Sequence, residues 1–557
     1  VYKRQLTGGT INLNGDITTS VFGGDVASID INGAAVITGS NRTLTSGNGT
    51  IDFSSTVNSE AETNYNLTLV SGSGAAAING TVGATRALGN LTINSSAGTG
   101  AITLSTVGTD TAAGAAVVTI GNADTASITF GGVELTSSGL QLFTADGYSI
   151  TGLDSTFATS NANITFANGG AGAITLGDTA DLTLSTELGG GGAGDIAVNV
   201  AIAGTDGDVG TDVTIDAGTG TISIQGISTD ISDVLLTSTG GITLNGDITT
   251  ATDSGDTGNE SGVVTLTGAV TLAENITIDT DSASNNGAVS FSSTVDGFKT
   301  LTITSGSGAV DFAGIIGGTT ALGDLTINSS GGTGTIDIEQ IGDGDVSGGV
   351  RGTVAIGNAA TSQVEFDGTI YKFENVTGAS DTVTITASDT GEAIDFTAGA
   401  AVTITTIGQD VAAETGTTTS GNAITFDTGT IDLANTSDLT INSNGGAVTI
   451  KGIRGASSET VTISANSGSV TSATETISIG TDGIGNADEI GAIALTAADG
   501  VTLGGNITLA DSGGADLTVT GAAKISGDVT IAGDNTTNDA TVTFCLLYTS
   551  PSPRDSV

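Results

Sequence analysis

The chain has 557 residues, 88 of them glycine, with 3% aromatics, no histidine, no tryptophan, one cysteine and a formal charge of −48. It offers no basic footprint for nucleic acid, and the same charge disfavours an anionic membrane surface. Without histidine or a cysteine inside the repeats there is no Ser-His-Asp triad, thiol nucleophile, imidazole base or zinc centre.

In chain order, residues 1–5 (VYKRQ) stand apart, with Lys3 and Arg4 adjacent in a chain that has almost no bases. They resemble translated adaptor sequence and are set aside from the fold argument, as is the tail 545–557 (CLLYTSPSPRDSV). That tail holds Cys545 and both prolines, Pro551 and Pro553. Residues 6–233 read as a first repeat unit and 234–500 as a second, with 501–544 opening a third that is cut short. The first unit opens GGTINLNGDITTS from Gly8 and the second GGITLNGDITTA from Gly240. FSSTV, from Phe53 and again from Phe291, follows in each unit, as does IGNA, from Ile120 and Ile356.

The best-kept repeat is ALGNLTINSSAGTG at 87–100, which returns as ALGDLTINSSGGTG at 321–334. Looser copies begin at Val213 and Leu439, so the starts Leu91, Val213, Leu325 and Leu439 lie 122, 112 and 114 residues apart. Within a copy Leu91 and Ile93 alternate with Thr92 and Asn94, the period of a half-buried strand. The same alternation predicts Leu325, Ile327, Leu439 and Ile441 inside, with Thr92, Thr326 and Thr440 facing out. A turn follows, and Ile102 and Leu104 start another strand.

Mean hydropathy is mildly positive at +0.23 and the apolar positions alternate regularly, which argues against disorder. Short strands punctuated by Gly, Asn, Ser and Asp fit two architectures: an all-β parallel solenoid, or tandem immunoglobulin-like sandwiches. The sandwich expects aromatic anchors and linkers between domains, and the sequence has neither. The solenoid expects recurring Thr, Val, Ile and Asn stacked coil upon coil, and the sequence has them. At roughly 20–25 residues and about 4.8 Å per coil, such a solenoid would span about 100–130 Å.

NGDITT, LTGAVTL (266–272), GGNITL (504–509) and LTINSSGGTGTIDI (325–338) resemble the repeats of large bacterial surface adhesins of the filamentous-haemagglutinin-like and autotransporter-passenger type. The resemblance covers nearly all of residues 6–544. It implies an elongated right-handed β-helix, extracellular and held at the cell surface, where it serves in attachment or matrix formation. Surface glycans and host or matrix proteins are the partners it implies. No secretion region or anchor matches, so the chain reads as a fragment of a longer protein, and its open ends predict end-to-end self-association. No run of apolar residues is long enough to insert in a membrane.

Chemistry is sparse. No Gly-Lys dipeptide is present for a phosphate loop, and the one GxGxxG match (Gly189, Gly191, Gly194) lies in a glycine run, where a turn is expected. No catalytic or cofactor-binding residue is assigned, and the chain is not expected to be an enzyme. The alternative function is a carbohydrate-active β-helix lyase or hydrolase, for which the bases near acids are Arg351, after Asp343 and Asp345, and Lys372, near Asp367 and Glu374. The only cofactor the sequence suggests is calcium, on Asp206, Asp208 and Asp212 in TDGDVGTD or on Asp343 and Asp345 in GDGD; solvated turn acids are the competing reading. A third function, ice binding by a Thr array, rests on Thr302–Thr304 and Thr403–Thr405.

Overall fold

The computed structural model describes residues 3–545 except 22–25, 110–111, 133, 152–153, 178–179, 206–209, 229, 251–261, 282–285, 345–347, 376–380, 390–392, 409–419, 457, 467–473, 487, 511–513 and 534–539. They form a parallel β-solenoid of about 19 turns. Among them there is no helix, and so none long and apolar enough to cross a membrane. The chain divides into two compact units, Val1–Ala288 and Val289–Val557.

Each coil is built from short strands of the form apolar–polar–apolar, as in Ile174–Leu176 and Ile242–Leu244, both reading ITL. The two apolar side chains point inward and the middle one outward, because successive side chains on a strand face opposite ways. Glycine, asparagine and aspartate then turn the chain towards the next strand. Each strand pairs in parallel with its counterpart one coil on, in contrast to the hairpins a sandwich would show. Residues paired on successive coils lie from 20 apart (Ile222 and Ile242) to 41 apart (Val383 and Ile424), so coil length varies.

Three ladders make the walls of the first unit. One stacks Phe53, Ile78, Leu104, Phe130 and Ile150. A second stacks Phe157, Leu184, Ile215, Leu236 and Leu266. The third stacks Leu69, Ile93, Ile120, Phe143 and Phe166. The second unit has the same construction, with Phe312–Ile338–Phe366–Phe396, Ile404–Ile441–Ile463–Leu495 and Ile303–Ile327–Ile356–Ile385 in register. All these inward side chains are at most 2% exposed. Each contributes on the order of 1.5–3 kcal/mol by leaving water, so the core is continuous although few of its members are large.

The few aromatics are concentrated where ladders bring them together. Phe291 stacks on Phe312 with centroids 4.6 Å apart, and Phe366 on Phe396 at 4.9 Å. In the first unit Phe130, Phe143, Phe157 and Phe166 form one edge-to-face cluster.

The predicted register holds: Leu91, Ile93, Leu325, Ile327, Leu439 and Ile441 are at most 1% exposed, and Thr92, Thr326 and Thr440 are half-buried on the outer surface. The four repeat starts are not equivalent, however. Leu91 pairs with Leu67 and Val118, whereas Val213 pairs with Leu182 and Val234, in a different ladder of the same unit. The same split separates Leu325, beside Leu301 and Val354, from Leu439, beside Val402 and Val461. The sequence similarity between close and loose copies therefore reflects a shared strand grammar used on two faces. The last glycine of the best-kept repeat has a stacking role. A Cβ on Gly100 would sit 1.9 Å from the Gly74 carbonyl oxygen, and one on Gly74 2.2 Å from that of Gly49, so three successive coils touch through bare backbone.

Lys3–Leu13 forms one strand, pairing in parallel with Ala27–Ile37, so Lys3 to Gln5 begin the strand that runs on into the first repeat motif. Cys545 ends the strand Val542–Cys545 and is exposed.

Candidate functional site

The most concentrated chemistry lies on one ladder of the second unit. Strands Val310–Ile316, Thr335–Ile341, Gln363–Phe366, Ile394–Phe396 and Ile431–Leu433 each carry an acid between two inward apolar residues. Their pairing puts Asp311, Asp337, Glu365, Asp395 and Asp432 in one row, each directly beside the next. The row closes on Arg454, which is paired with Asp432 and holds it through Nη2 to Oδ2 at 3.3 Å. At the spacing of adjacent strands, about 4.8 Å, neighbouring carboxylates repel when ionised.

Partial burial, and then that repulsion, raise three of these carboxyls. Asp337 is pushed up to about 6, first by burial and then by Asp367, Glu365, Asp311 and Glu339. Asp311 is also raised, by burial and then by Asp367. Glu365 is raised by burial and then by Asp367 and Asp395. Gln363 donates from Nε2 to Asp395 Oδ2, and Thr397 donates its hydroxyl to Asp367. At the Arg454 end the surface dips into a groove of about 450 Å³, where Asp395, Asp432 and Asp488 meet Thr397, Leu433 and Ala456.

Arg351 and Lys372, the bases singled out in the sequence, converge on one carboxylate. Arg351 Nε lies 3.0 Å from Glu374 Oε2 and Lys372 Nζ 3.4 Å from Oε1, with Lys372 4% and Glu374 1% exposed. Burial raises the Glu374 carboxyl, and Lys372 and Arg351 oppose the rise. Arg351 also covers the ring of the exposed Phe298 at 5.5 Å. Lys372 is thus a core ion-pair partner of Glu374, and it stands apart from the acid row.

Of the calcium candidates, Asp206, Asp208 and Asp345 lie outside the described residues. Asp212 belongs to a different device. Its Oδ1 accepts the Asp233 amide at 3.0 Å, while its own amide donates to Asp181 Oδ1 at 2.9 Å. Asp233 Oδ1 in turn accepts the Val263 amide at 2.8 Å. A side-chain oxygen placed just before a strand caps the backbone of the coil above. Asn66 on Asn90, Asp324 on Thr353 and Asp438 on Thr460 repeat the arrangement. Asp343 follows the strand Thr335–Ile341, with its Oδ1 near Gly348. Among the described residues no group of three or more His, Cys, Asp or Glu is arranged to hold a metal ion. Gly189, Gly190 and Gly191 all have positive φ, the turn expected of a glycine run.

Sequence reasoning missed both the acid row and the amide-capping acids. The row had a signal: the triplets VDF, IDI, VEF, IDF and IDL recur once per coil at Val310, Ile336, Val364, Ile394 and Ile431.

Fold and site together define a parallel β-solenoid repeat protein with an acid-lined face. No family model, no curated protein and no solved structure matches the chain.

Proposed function

We propose that this chain is a structural or adhesive solenoid of the filamentous-haemagglutinin-like or autotransporter-passenger kind, working outside a bacterial cell. In this reading it attaches the cell to surface glycans or matrix proteins. The observation that supports this is the repetition itself: outward rows run coil after coil, giving many equivalent weak contacts whose avidity multiplies. The test is binding of chain-coated beads to glycan arrays and immobilised matrix proteins. Retention that falls steeply as bead coating density is lowered is expected. Absence of retention on every surface would overturn the reading.

The acid row with its groove favours a second reading, a carbohydrate-active enzyme. Glu365, whose carboxyl is raised by burial, stands directly beside Asp395, and two neighbouring carboxyls are what acid–base cleavage of a glycosidic bond requires. Release of reducing ends from a polysaccharide, abolished by Asp432→Asn or Asp395→Asn, would support it. Adhesion should survive those two changes, because it is spread over many coils.

A further inference from the structure

The second unit has a face on which two adjacent outward rows carry no charge. It is formed by strands Val402–Gly408, Leu439–Asn442, Val461–Ser464, Ile493–Thr496 and Leu517–Thr520. Their register aligns Thr403, Thr440, Thr462, Ala494 and Thr518 in one outward row. A second row, two residues along each strand, holds Thr405, Asn442, Ser464, Thr496 and Thr520. None of these positions is charged or aromatic, although the chain carries 59 acids. Asp438 and Asp516 precede their strands and engage the amides of Thr460 and Thr541 in the next coil.

The face is also regular. The four strand pairings that build it run without a bulge, whereas Val448–Arg454 against Thr476–Ile484 and Val310–Ile316 against Thr335–Ile341 both shift register. Beneath it Ile404, Ile441, Ile463, Leu495 and Val519 are at most 1% exposed and lock the strands in place. Threonine is β-branched and stiff at χ1, so its hydroxyl and methyl groups repeat with the backbone. The spacings are about 4.8 Å from coil to coil and about 6.6 Å along each strand. Single uncharged rows run elsewhere, as Thr43–Thr68–Thr92–Thr119 does in the first unit, but comparable paired rows are broken. In the first unit Leu235 and Asp216 interrupt the rows through Thr214, and beside the row Thr384–Thr425–Thr449 stands Asp427.

Few partners suit such a surface. Five rungs cover about 200 Å², far below the roughly 800 Å² per partner of a stable protein interface, which argues against a second copy of the chain. A sugar chain would want an aromatic platform or charged, bidentate groups, and the face presents none. A repeating solid whose surface alternates hydrogen-bonding and apolar points would match it rung for rung. Water ordered as ice is such a solid, with oxygen repeats on its prism face close to both spacings. We propose that this face binds the surface of ice, an activity independent of the adhesive reading.

The experiment is ice-recrystallisation inhibition by the full chain, with Thr462→Lys and Thr496→Lys on the face and Thr214→Lys on the interrupted row of the first unit. Circular dichroism confirms that each variant keeps its strands, and two face variants are made so that one misfolded protein does not decide the result. Inhibition by the parent chain is expected, with each folded face variant needing about tenfold more protein and Thr214→Lys behaving like the parent. Inhibition no better than serum albumin at equal mass would overturn the proposal. So would full activity in the folded face variants, or an equal loss in all three.

Discussion

Asn94 and Ser71 lock two successive coils together through reciprocal hydrogen bonds. Asn94 Oδ1 accepts the Ser71 amide at 2.9 Å and its Nδ2 donates to Ser71 Oγ at 2.9 Å. Ser71 Oγ passes the chain on, donating to the Gly74 carbonyl at 2.6 Å. Asn94 is 1% exposed and has φ 48, a left-handed conformation that asparagine tolerates better than most residues. Asn328 and Ser305 repeat every element of this in the second unit, with φ 47 and distances of 2.8 and 2.9 Å. The stretch NSS shared by both copies of the best-kept repeat is therefore a corner that staples coils, as much as the end of a strand.

Replacing Asn94 by alanine should cost about 2–4 kcal/mol, because it leaves the buried Ser71 amide unpaired and puts alanine at positive φ. Asn94→Gly removes the backbone penalty and should recover roughly 1 kcal/mol of that loss. Chemical denaturation of both variants, and of the matching pair at Asn328, measures it. Equal costs for alanine and glycine would show that φ plays no part.

Ile327 and Thr326 test the strand register. Ile327→Asp buries an unpaired charge and should destabilise its coil by several kcal/mol, on the order of the largest single-residue effects. Thr326→Asp, on the outer surface, should cost far less. Comparable denaturation midpoints for the two variants would contradict the register.

The acid row sets a pH dependence whose sign follows from its raised carboxyls. Asp337 binds its proton more tightly folded, at about 6, than unfolded, near 3.8. Its contribution is therefore fully present below the unfolded value and is lost as pH rises through 6. Asp311 and Glu365 act in the same direction. Asp195, lowered by hydrogen bonds from Thr221, works oppositely, since its contribution is lost as pH falls through its depressed value. The melting temperature should thus rise from pH 7.5 to about 5 and fall again in strong acid, and Asp337→Asn should flatten the upper slope. A melting temperature that climbs steadily from pH 5 to 7.5 would show that the row is not strained.

Cations should act by screening. Asp212 already spends Oδ1 on the Asp233 amide. Calcium and magnesium at matched ionic strength should therefore raise the melting temperature alike. Asp212→Ala should lower stability without changing that response. Stabilisation by low-millimolar calcium well beyond magnesium, removed by Asp212→Ala, would instead establish a site in TDGDVGTD.

Much of this fold is legible in the sequence because burial follows period two. Leu91, Ile93, Leu325 and Ile327 declare themselves by alternation alone, and the lack of linkers and aromatic anchors favours coils over sandwiches. Ladder membership is not legible. Coil lengths vary, so spacing along the chain does not say which wall a strand joins, and motif likeness groups Val213 and Leu439 with strands of another wall. The acid row is hidden for a different reason. In so acidic a chain Asp337 or Glu365 looks like one more solubilising charge, and only the pairing of successive coils shows them stacked. Asp212 reads as a solvated turn acid for the same reason, yet it joins Asp181 and Asp233 in capping the backbone of a neighbouring coil.

Successive coils stack in parallel and in register, with Thr92 beside Thr119, and an engineered disulfide reads that stacking out. These two threonines face outward on adjacent coils and are paired across the ladder. In a Cys545→Ser background, cysteines at both positions should sit about 4.8 Å apart at Cα, within the range a disulfide spans. Mild oxidation should close the Thr92–Thr119 bridge nearly completely, with melting temperature kept or raised. A second protein with cysteines at Thr92 and Thr129, which lie on different ladders, should stay reduced. Failure of the first pair to close, or closure of the second, would contradict the solenoid register.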